Sequence, residues 1–142
     1  MHRRLAIGIL VAAVAAACGG GVVSPSQNKT DTFNGTLQPV SSGNANIGLH
    51  QVNITKTGEL SVIVTSLTPS VPGDTYFAVG IGQLFGALTV SNCNPIQINQ
   101  FAVPVNPAIN SLPITPGTYC IFIYDEGLFT VAEDYALTVS HP

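Results

Sequence analysis

The feature that most constrains the fold of this chain is its surplus of β-branched residues over helix-forming ones. From Cys18 to the C-terminus, Val, Ile and Thr supply 36 of 125 residues, whereas Glu, Lys, Arg and Met supply five. β-Branched side chains lose rotamer freedom in a helix and pack well on a pleated surface. No stretch of twelve residues free of Pro and Gly carries a helical apolar stripe. The sequence therefore predicts an all-β fold.

Alternating apolar positions and turn residues divide the chain into seven or eight short strands. The predicted strands cover residues 32–37, 46–55, 60–67, 76–81, 87–90, 96–103, 118–124 and 134–140. Pro104, Pro107 and Pro113 predict an irregular connection, since proline cannot donate to a strand ladder. This pattern is typical of a single antiparallel β-sandwich of jelly-roll-like form, and a small β-barrel is the alternative.

Two local patterns predict details of the backbone. Residues 46–55 carry apolar side chains on one parity before His50 and on the other parity after Gln51. Because side chains alternate across a strand, this switch predicts a β-bulge at that point. Residues 55–59 predict a hairpin turn, with Gly58 suited to a positive φ. The last two predicted strands are expected to pair with each other.

The first 17 residues predict a secretory signal peptide. Two arginines precede 13 apolar or small residues, a run too short to span a bilayer, which takes about 20. The Ala-Ala-Ala-Cys that follows resembles the lipobox of bacterial lipoproteins, in which Cys18 becomes the lipidated first residue. Ordinary signal cleavage after Ala17, which leaves an unmodified cysteine, is the alternative.

These N-terminal features predict an exported protein that is anchored to a membrane. Residues 18–30 begin with three glycines after Cys18 and continue with Ser-Pro-Ser-Gln-Asn at 24–28, which predicts a flexible tether, and residues 31–142 form the predicted domain. Gly19 stands where an Asp holds well-studied lipoproteins at the inner membrane, so the resemblance favours the outer membrane. A secreted or periplasmic location is the alternative.

The processed chain is acidic and contains no arginine. Two lysines stand against seven acidic residues, which gives a net charge of −5 from Cys18 onward. A protein that binds a phosphate backbone needs clustered Lys and Arg to displace counterions. The composition therefore excludes nucleic acid as a partner. It also opposes disorder, because 46% of the residues are apolar and can bury a core.

Cys93 and Cys120 remain after Cys18, and an exported domain meets an oxidising compartment. A bridge between them would close a loop with a separation of 27 residues and stabilise the fold by about 3–4 kcal/mol. The chain has no Cys-x-x-Cys pair and no His between the two cysteines, so zinc-ligand spacing is absent. The sequence predicts a structural disulfide.

Three parts of the chain carry a resemblance to a known family. They are TFNGTL at 32–37, TGELSVIV at 57–64, and PGTYCIFIY at 116–124 with its follower DYALTVS at 134–140. Together they resemble bacterial pre-peptidase C-terminal (PPC) domains over residues 31–140. The resemblance implies a β-sandwich that accompanies secreted peptidases and other exported enzymes and is usually non-catalytic. It also implies that some relatives bind collagen or polysaccharide, sometimes with calcium.

The chain departs from the PPC pattern in two ways. No peptidase sequence precedes the domain in this chain, and a pair of cysteines is not a general feature of the family.

Four acidic residues lie close together in sequence, and they are Asp125, Glu126, Glu133 and Asp134. They flank one predicted loop, where their oxygens could converge on a calcium ion, which takes six to eight oxygen ligands. No EF-hand spacing is present, and acidic residues at strand ends also keep a sheet edge soluble. Calcium is the only cofactor for which the sequence offers candidate ligands.

Catalytic motifs are absent from the sequence. His50 and His141 remain after processing, but no G-x-S-x-G motif and no arginine accompany them. With so few titratable groups, the chain is predicted not to be an enzyme.

Four aromatic residues lie outside the obvious core positions, and they are Tyr76, Phe85, Tyr124 and Phe129. Phe85 and Phe129 fall in predicted loops. Exposed apolar residues in loops mark contact with a partner, whereas buried ones cap an end of the core. Sugar-binding sandwiches most often use Trp as a platform, and this chain has none.

These observations predict a non-catalytic cell-envelope lipoprotein with a binding or structural β-sandwich module. The alternative is a calcium-supported carbohydrate- or protein-binding accessory module for a separate secreted enzyme. The expected partners are the membrane, through the lipid anchor, and an envelope polysaccharide or protein.

Overall fold

The computed structural model describes residues 21–44, 46–69 and 76–142. These residues form eight strands, which are β1 (Lys29–Leu37), β2 (Ile47–Ile54), β3 (Gly58–Thr68), β4 (Phe77–Leu84), β5 (Cys93–Ala102), β6 (Pro107–Ile114), β7 (Gly117–Asp125) and β8 (Glu133–His141). The helices in these ranges are three single-turn 3-10 segments. None of them is long and apolar enough to cross a membrane.

The eight strands form two four-stranded antiparallel sheets that pack as a β-sandwich. Sheet A has the order β1-β8-β3-β6, and sheet B has the order β2-β7-β4-β5. The predicted β-sandwich is therefore confirmed, and the alternative of a closed barrel is wrong because the strands divide into two sheets. Only β4 and β5 are both consecutive and paired. The predicted closing pair is consequently split, with β7 in sheet B and β8 in sheet A.

The core between the sheets is built by strict alternation along the strands. In β8, every second side chain from Glu133 to His141 is buried, and β3 alternates in the same way from Gly58 to Val64. The fully buried large side chains include Phe77, Leu60 and Leu137. Each such side chain stabilises the fold by about 1.5–3 kcal/mol relative to an exposed position.

The strands run between two ends of the sandwich. At the base, β1 and β3 begin and β8 ends, so that Lys29 lies opposite His141. At the far end, β7 finishes at Asp125 and β8 starts at Glu133. The chain termini of the described part therefore lie at the base, and the acidic loop between β7 and β8 lies at the far end.

Two strand predictions are wrong. Residues 87–90 belong to the loop between β4 and β5, and residues 107–114, predicted as irregular, form β6. β6 is an edge strand that bonds only to β3. Pro107 and Pro113 are tolerated there because an edge strand has one side on which no N–H donor is needed.

The predicted hairpin and bulge are also wrong. Residues 55–57 cross from sheet B to sheet A, and Gly58 lies inside β3 without a positive φ. β2 pairs with β7 in unbroken register from Ile47 to Ile54, so no bulge lies near His50. The parity switch arises because both faces of β2 are apolar.

The segment before β1 contacts the base of the sandwich. The N–H of Val23 donates to the carbonyl of Thr57 at 2.8 Å, and the Asn28 side-chain amide donates to the carbonyl of Glu59 at 2.8 Å. β1 begins at Lys29, so the boundary predicted between residues 30 and 31 falls inside a strand.

The predicted disulfide is confirmed. Cys93 at the start of β5 is bonded to Cys120 in β7, and both residues are buried. The bridge joins two strands that are not neighbours in sheet B, because β4 lies between them.

Replacing both cysteines with alanine should lower the free energy of unfolding by about 3–4 kcal/mol, since the unfolded chain then loses its closed loop. Urea denaturation of the oxidised protein and of the double variant measures the difference. Reduced wild-type protein is the control and should resemble the variant. A loss below about 1 kcal/mol would show that the bridge does not restrain the unfolded chain.

Candidate functional site

On the outer face of sheet B, the central strand β4 carries a row of very small residues. Ala78, Gly80 and Gly82 point away from the core, while the alternating Phe77, Val79 and Ile81 point into it. The paired positions on β7 are Tyr124, Phe122 and Cys120. The larger β7 side chains can therefore lie across β4.

Two groups occupy the space above β4. A Cβ atom at Gly80 would overlap the ring of Phe122, so that ring lies directly over the glycine. A Cβ atom at Gly82 would lie 3.0 Å from Cys93 Sγ and 2.6 Å from the Asn94 carbonyl oxygen. Because Gly80 and Gly82 have no side chains, the disulfide can cross β4 and the ring of Phe122 can lie flat over it.

An apolar groove of about 260 Å³ lies beside these groups on the outer face of sheet B. Its lining residues are Ile47, Leu49, Val90, Cys93, Pro95, Ile98, Phe122 and Tyr124. Leu84, Cys93, Cys120 and Phe122 form a second buried apolar cluster, separate from the main core, against which Leu49 and Tyr124 pack. Sheet B is therefore apolar on both of its faces.

Sheet B also carries almost no charge. β2, β4 and β5 contain no Asp, Glu, Lys or Arg, and β7 contains one acidic residue, Asp125, at its last position. That carboxylate is buried. Among the described residues, the strands of sheet B therefore place no formal charge on its outer face, and the nearest charge is that of Glu126, which follows β7 and lies beside the hydroxyl of Tyr124.

Several large apolar side chains remain exposed on sheet B and its β4–β5 loop. They are Ile47, Phe85, Leu88, Val90, Ile96, Ile98 and Phe101. Scattered exposed apolar residues are normal, but Ile47, Val90 and Ile98 lie together along one groove, and a contiguous apolar surface marks an interaction site.

The outer face of sheet A has a different chemistry. Thr30, Thr32, Asn34 and Thr36 on β1 face Ser140, Thr138, Ala136 and Asp134 on β8. This face is covered by hydroxyl and amide groups, as expected for a sheet surface in contact with water. The apolar exterior is thus specific to sheet B.

Three of the four predicted contact residues lie on the sheet B side of the molecule. Tyr124 lines the groove and stacks on Phe122 with 6.4 Å between ring centroids. Burial, and then the charge of Glu126, raises the pKa of the Tyr124 hydroxyl. Tyr76 packs edge-on against Phe101, and Phe85 is 58% exposed in the β4–β5 loop.

Phe129 does not form part of this surface. It is 1% exposed and packs in the core with 6.5 Å between its ring centroid and that of Phe77. Phe129 therefore offers no exposed surface for a ligand, and the loop around it folds back onto the core, as the alternative expectation describes.

Asp125 explains why the loop folds inward. One carboxylate oxygen accepts hydrogen bonds from the N–H groups of Gly127, Leu128 and Phe129 at 2.8–3.0 Å. The other oxygen accepts a hydrogen bond from the N–H of Val40 at 2.9 Å. Asp125 therefore holds the backbone of the loop, and its oxygens already have partners.

The other predicted calcium ligands point in different directions. Glu133 is buried, whereas Asp134, the next residue on β8, lies on the outer face of sheet A and accepts a hydrogen bond from Thr36 at 2.6 Å. Glu126 is exposed near Tyr124. Among the described residues, no group of three or more His, Cys, Asp or Glu side chains could hold a metal ion. The calcium hypothesis gains no support from this arrangement.

The two histidines make local contacts. His50 Nε2 lies 2.7 Å from the hydroxyl of Tyr135, and its ring stacks on Phe33. A Cβ atom at Gly35 or Gly48 would overlap Tyr135, so both glycines make room for this pair. Burial lowers the pKa of His50 and raises that of Tyr135.

His141 lies 3.1 Å from a carboxylate oxygen of Asp31. In the described residues, no serine hydroxyl and no cysteine thiol is hydrogen-bonded to either histidine.

Sequence reasoning missed most of the groove. Ile47, Leu49 and Ile98 line it, whereas the sequence predicts only that they lie in strands. Two signals were present, namely the parity switch along β2 and the Ala-x-Gly-x-Gly spacing in β4. Both indicate a strand with an apolar or bare outer face.

Comparisons with known proteins return no match. No family model matches the chain, and neither the curated proteins nor the solved structures include a match. The resemblance to PPC domains and to lipoproteins therefore stays a prediction.

Replacing Phe85 and Phe129 separately with serine should give opposite results. Phe129→Ser should lower the free energy of unfolding by about 3–5 kcal/mol, because it leaves a cavity in the core. Phe85→Ser should change it by about 0.5 kcal/mol or less, as expected for an exposed position. Thermal and urea unfolding of both variants measure this difference, and equal losses would contradict the assignment of Phe85 to the surface.

The buried Glu133 should give stability a recognisable pH dependence. Neither carboxylate oxygen has a hydrogen-bond partner in the described structure, and burial, with the Asp134 charge, raises the pKa of Glu133 above its ordinary 4.5. The folded chain therefore holds the carboxyl proton of Glu133 more tightly than the unfolded chain does. The stability that this protonation contributes is complete below pH 4.5. It is lost as the pH rises through the raised pKa.

The difference in unfolding free energy between wild type and Glu133→Gln isolates this contribution from other titrating groups. We expect the difference to change by at most about 1.4 kcal/mol per pH unit above pH 4.5, in favour of the variant as pH rises. A difference that stays constant from pH 4 to pH 8 would show that Glu133 does not titrate in this way.

Proposed function

We propose that this chain is a non-catalytic lipoprotein of the cell envelope whose β-sandwich binds an uncharged, apolar surface of a partner protein. The observation that carries the proposal is the groove of about 260 Å³ on the outer face of sheet B, whose lining residues are all apolar or aromatic and carry no formal charge. The centres of protein interfaces are likewise depleted of charge and enriched in aromatic residues.

The groove suits side chains of a partner rather than a charged small molecule. Its walls are aliphatic and aromatic, and its rim residue Tyr124 supplies a hydroxyl group. A charged ligand would lose its hydration there without gaining a paired charge. An apolar side chain would instead gain about 25 cal/mol for each Å² of apolar surface that it buries.

The stability of this face also supports a binding role. The Cys93–Cys120 bridge fastens one groove wall on β5 to the other on β7. A wall that is held in place before binding loses little conformational freedom on binding, which favours affinity. The bridge is also consistent with export to an oxidising compartment.

The proposed anchor is the acyl group on Cys18, as the lipobox resemblance implies. Such an anchor holds the sandwich at a membrane, where a partner in the same envelope layer reaches a high local concentration.

Site-specific photo-cross-linking in cells that make the full chain tests the binding face. A photoreactive residue at position 98, in the groove, should give covalent adducts with a partner. The matched control is position 138 on the outer face of sheet A, which should give few adducts. A second substitution, Val90→Asp, should reduce the adducts at position 98 by about tenfold or more, because a charge at the groove rim must be desolvated.

Two outcomes would contradict the proposal. One is an equal yield of adducts from positions 98 and 138, and the other is a yield at position 98 that Val90→Asp leaves unchanged. Circular dichroism and the unfolding midpoint of Val90→Asp confirm that the variant folds, which is expected because Val90 is 57% exposed.

A further inference from the structure

The charged side chains of the sandwich are divided between its two ends. Lys29 starts β1 and Lys56 lies between β2 and β3, so both lysines of the processed chain lie at the base. Both are exposed and line one cavity of about 260 Å³. The remaining residues of that cavity are Val23, Gln27, Thr55 and Pro142.

The far end holds acidic groups and no lysine. Four of the six acidic residues in the described ranges lie there, and they are Asp125, Glu126, Glu133 and Asp134. The two acidic residues nearer the base are Asp31, which is paired with His141 at 3.1 Å, and Glu59, next to Gly58. The base is therefore close to neutral with two exposed cations, whereas the far end is strongly negative.

The N-terminal segment leaves the sandwich at the base. Val23 is hydrogen-bonded to Thr57, and its carbonyl oxygen would lie 3.0 Å from a Cβ atom at Gly58. Val22, next to it, is 72% exposed. Gly21 follows Cys18 by three positions, and three steps of the chain span at most about 10 Å even when fully extended.

We propose that the base of the sandwich is a membrane-facing surface, on which Lys29 and Lys56 contact the phosphate groups of anionic lipids. The proposal rests on the proposed lipid anchor at Cys18, because the short reach from that residue brings the base to the bilayer surface. The exposed Val22 side chain follows the anchor position by four residues and shares a cavity with Lys56, so a base on the bilayer brings this side chain to the interface.

Charge reinforces this orientation from both ends. Each lysine near an anionic bilayer surface favours binding by about fivefold, and the acidic Asp31 and Glu59 at the base oppose part of this gain. The acidic far end is repelled by the same surface. A sandwich tethered at the base therefore stands with its strands pointing away from the membrane.

The test uses the mature, acylated full chain reconstituted into vesicles of phosphatidylcholine alone or with about 30% phosphatidylglycerol. Because the chain contains no Trp, single-Trp variants report on one position each. Val22→Trp marks the base, and Leu128→Trp marks the far-end loop. Lipids that are brominated near the carbonyl end of the acyl chain quench the fluorescence of a Trp side chain that enters the bilayer interface.

Quenching should be strong for Val22→Trp and weak for Leu128→Trp. Addition of phosphatidylglycerol should increase the quenching of Val22→Trp, and 0.5 M salt should remove the increase because it screens the lysines. Lys29→Gln with Lys56→Gln should abolish the lipid dependence, whereas Lys29→Arg with Lys56→Arg, which preserves the charge, should retain it.

Equal quenching of the two probes, or a lipid dependence that survives the glutamine variants, would overturn the proposed orientation while the lipoprotein proposal stands. The mass of the mature chain separates the two ideas. A mature chain without acyl groups on Cys18 would overturn the anchor and, with it, the orientation.

Discussion

The architecture of this protein depends on the missing side chains along the outward side of β4. Ala78, Gly80 and Gly82 leave room above a central strand of sheet B, and Phe122 and the disulfide fill part of it. Any larger residue at the two glycines would displace either the ring or the bridge. With both in place, β5 is held against β7 across β4, and the space that remains becomes the apolar groove. A local lack of side chains thus creates a second apolar layer outside the core.

The different chemistry of the two outer faces follows from which strands each sheet contains. Apart from Asp125, the charged residues of the strands belong to sheet A or lie at the ends. Sheet A can therefore face water with threonine and asparagine, while sheet B is stabilised by apolar packing on both sides. Asp125 extends this arrangement, since its bonds to the loop N–H groups direct Phe129 into the core instead of into solvent.

The sequence was sufficient to predict the all-β class, the sandwich and the disulfide, because composition and alternation report directly on strand formation and burial. The strand pairing could not be predicted from the sequence. The residues around Lys56 have the same turn pattern whether they join two neighbouring strands of one sheet or connect sheet B to sheet A. β6 was missed because proline is excluded from central strands but not from an edge. The parity switch along β2 predicts a bulge rather than two apolar faces, because an apolar outer face is uncommon for an antiparallel sheet.

The proposed orientation and the proposed binding face constrain each other. If the base lies on the bilayer, the strands run along the membrane normal. The outer face of sheet B is then a side wall of the molecule, perpendicular to the membrane plane. Its groove then opens parallel to the membrane surface. Ile47 and Tyr124 lie at the far end of that wall, and Cys93 lies nearer the base. A partner that fills the groove must therefore approach laterally, within the layer next to the same membrane. This geometry favours another envelope protein over a ligand that arrives from the bulk solution, because the acidic far end, not the apolar wall, faces that solution.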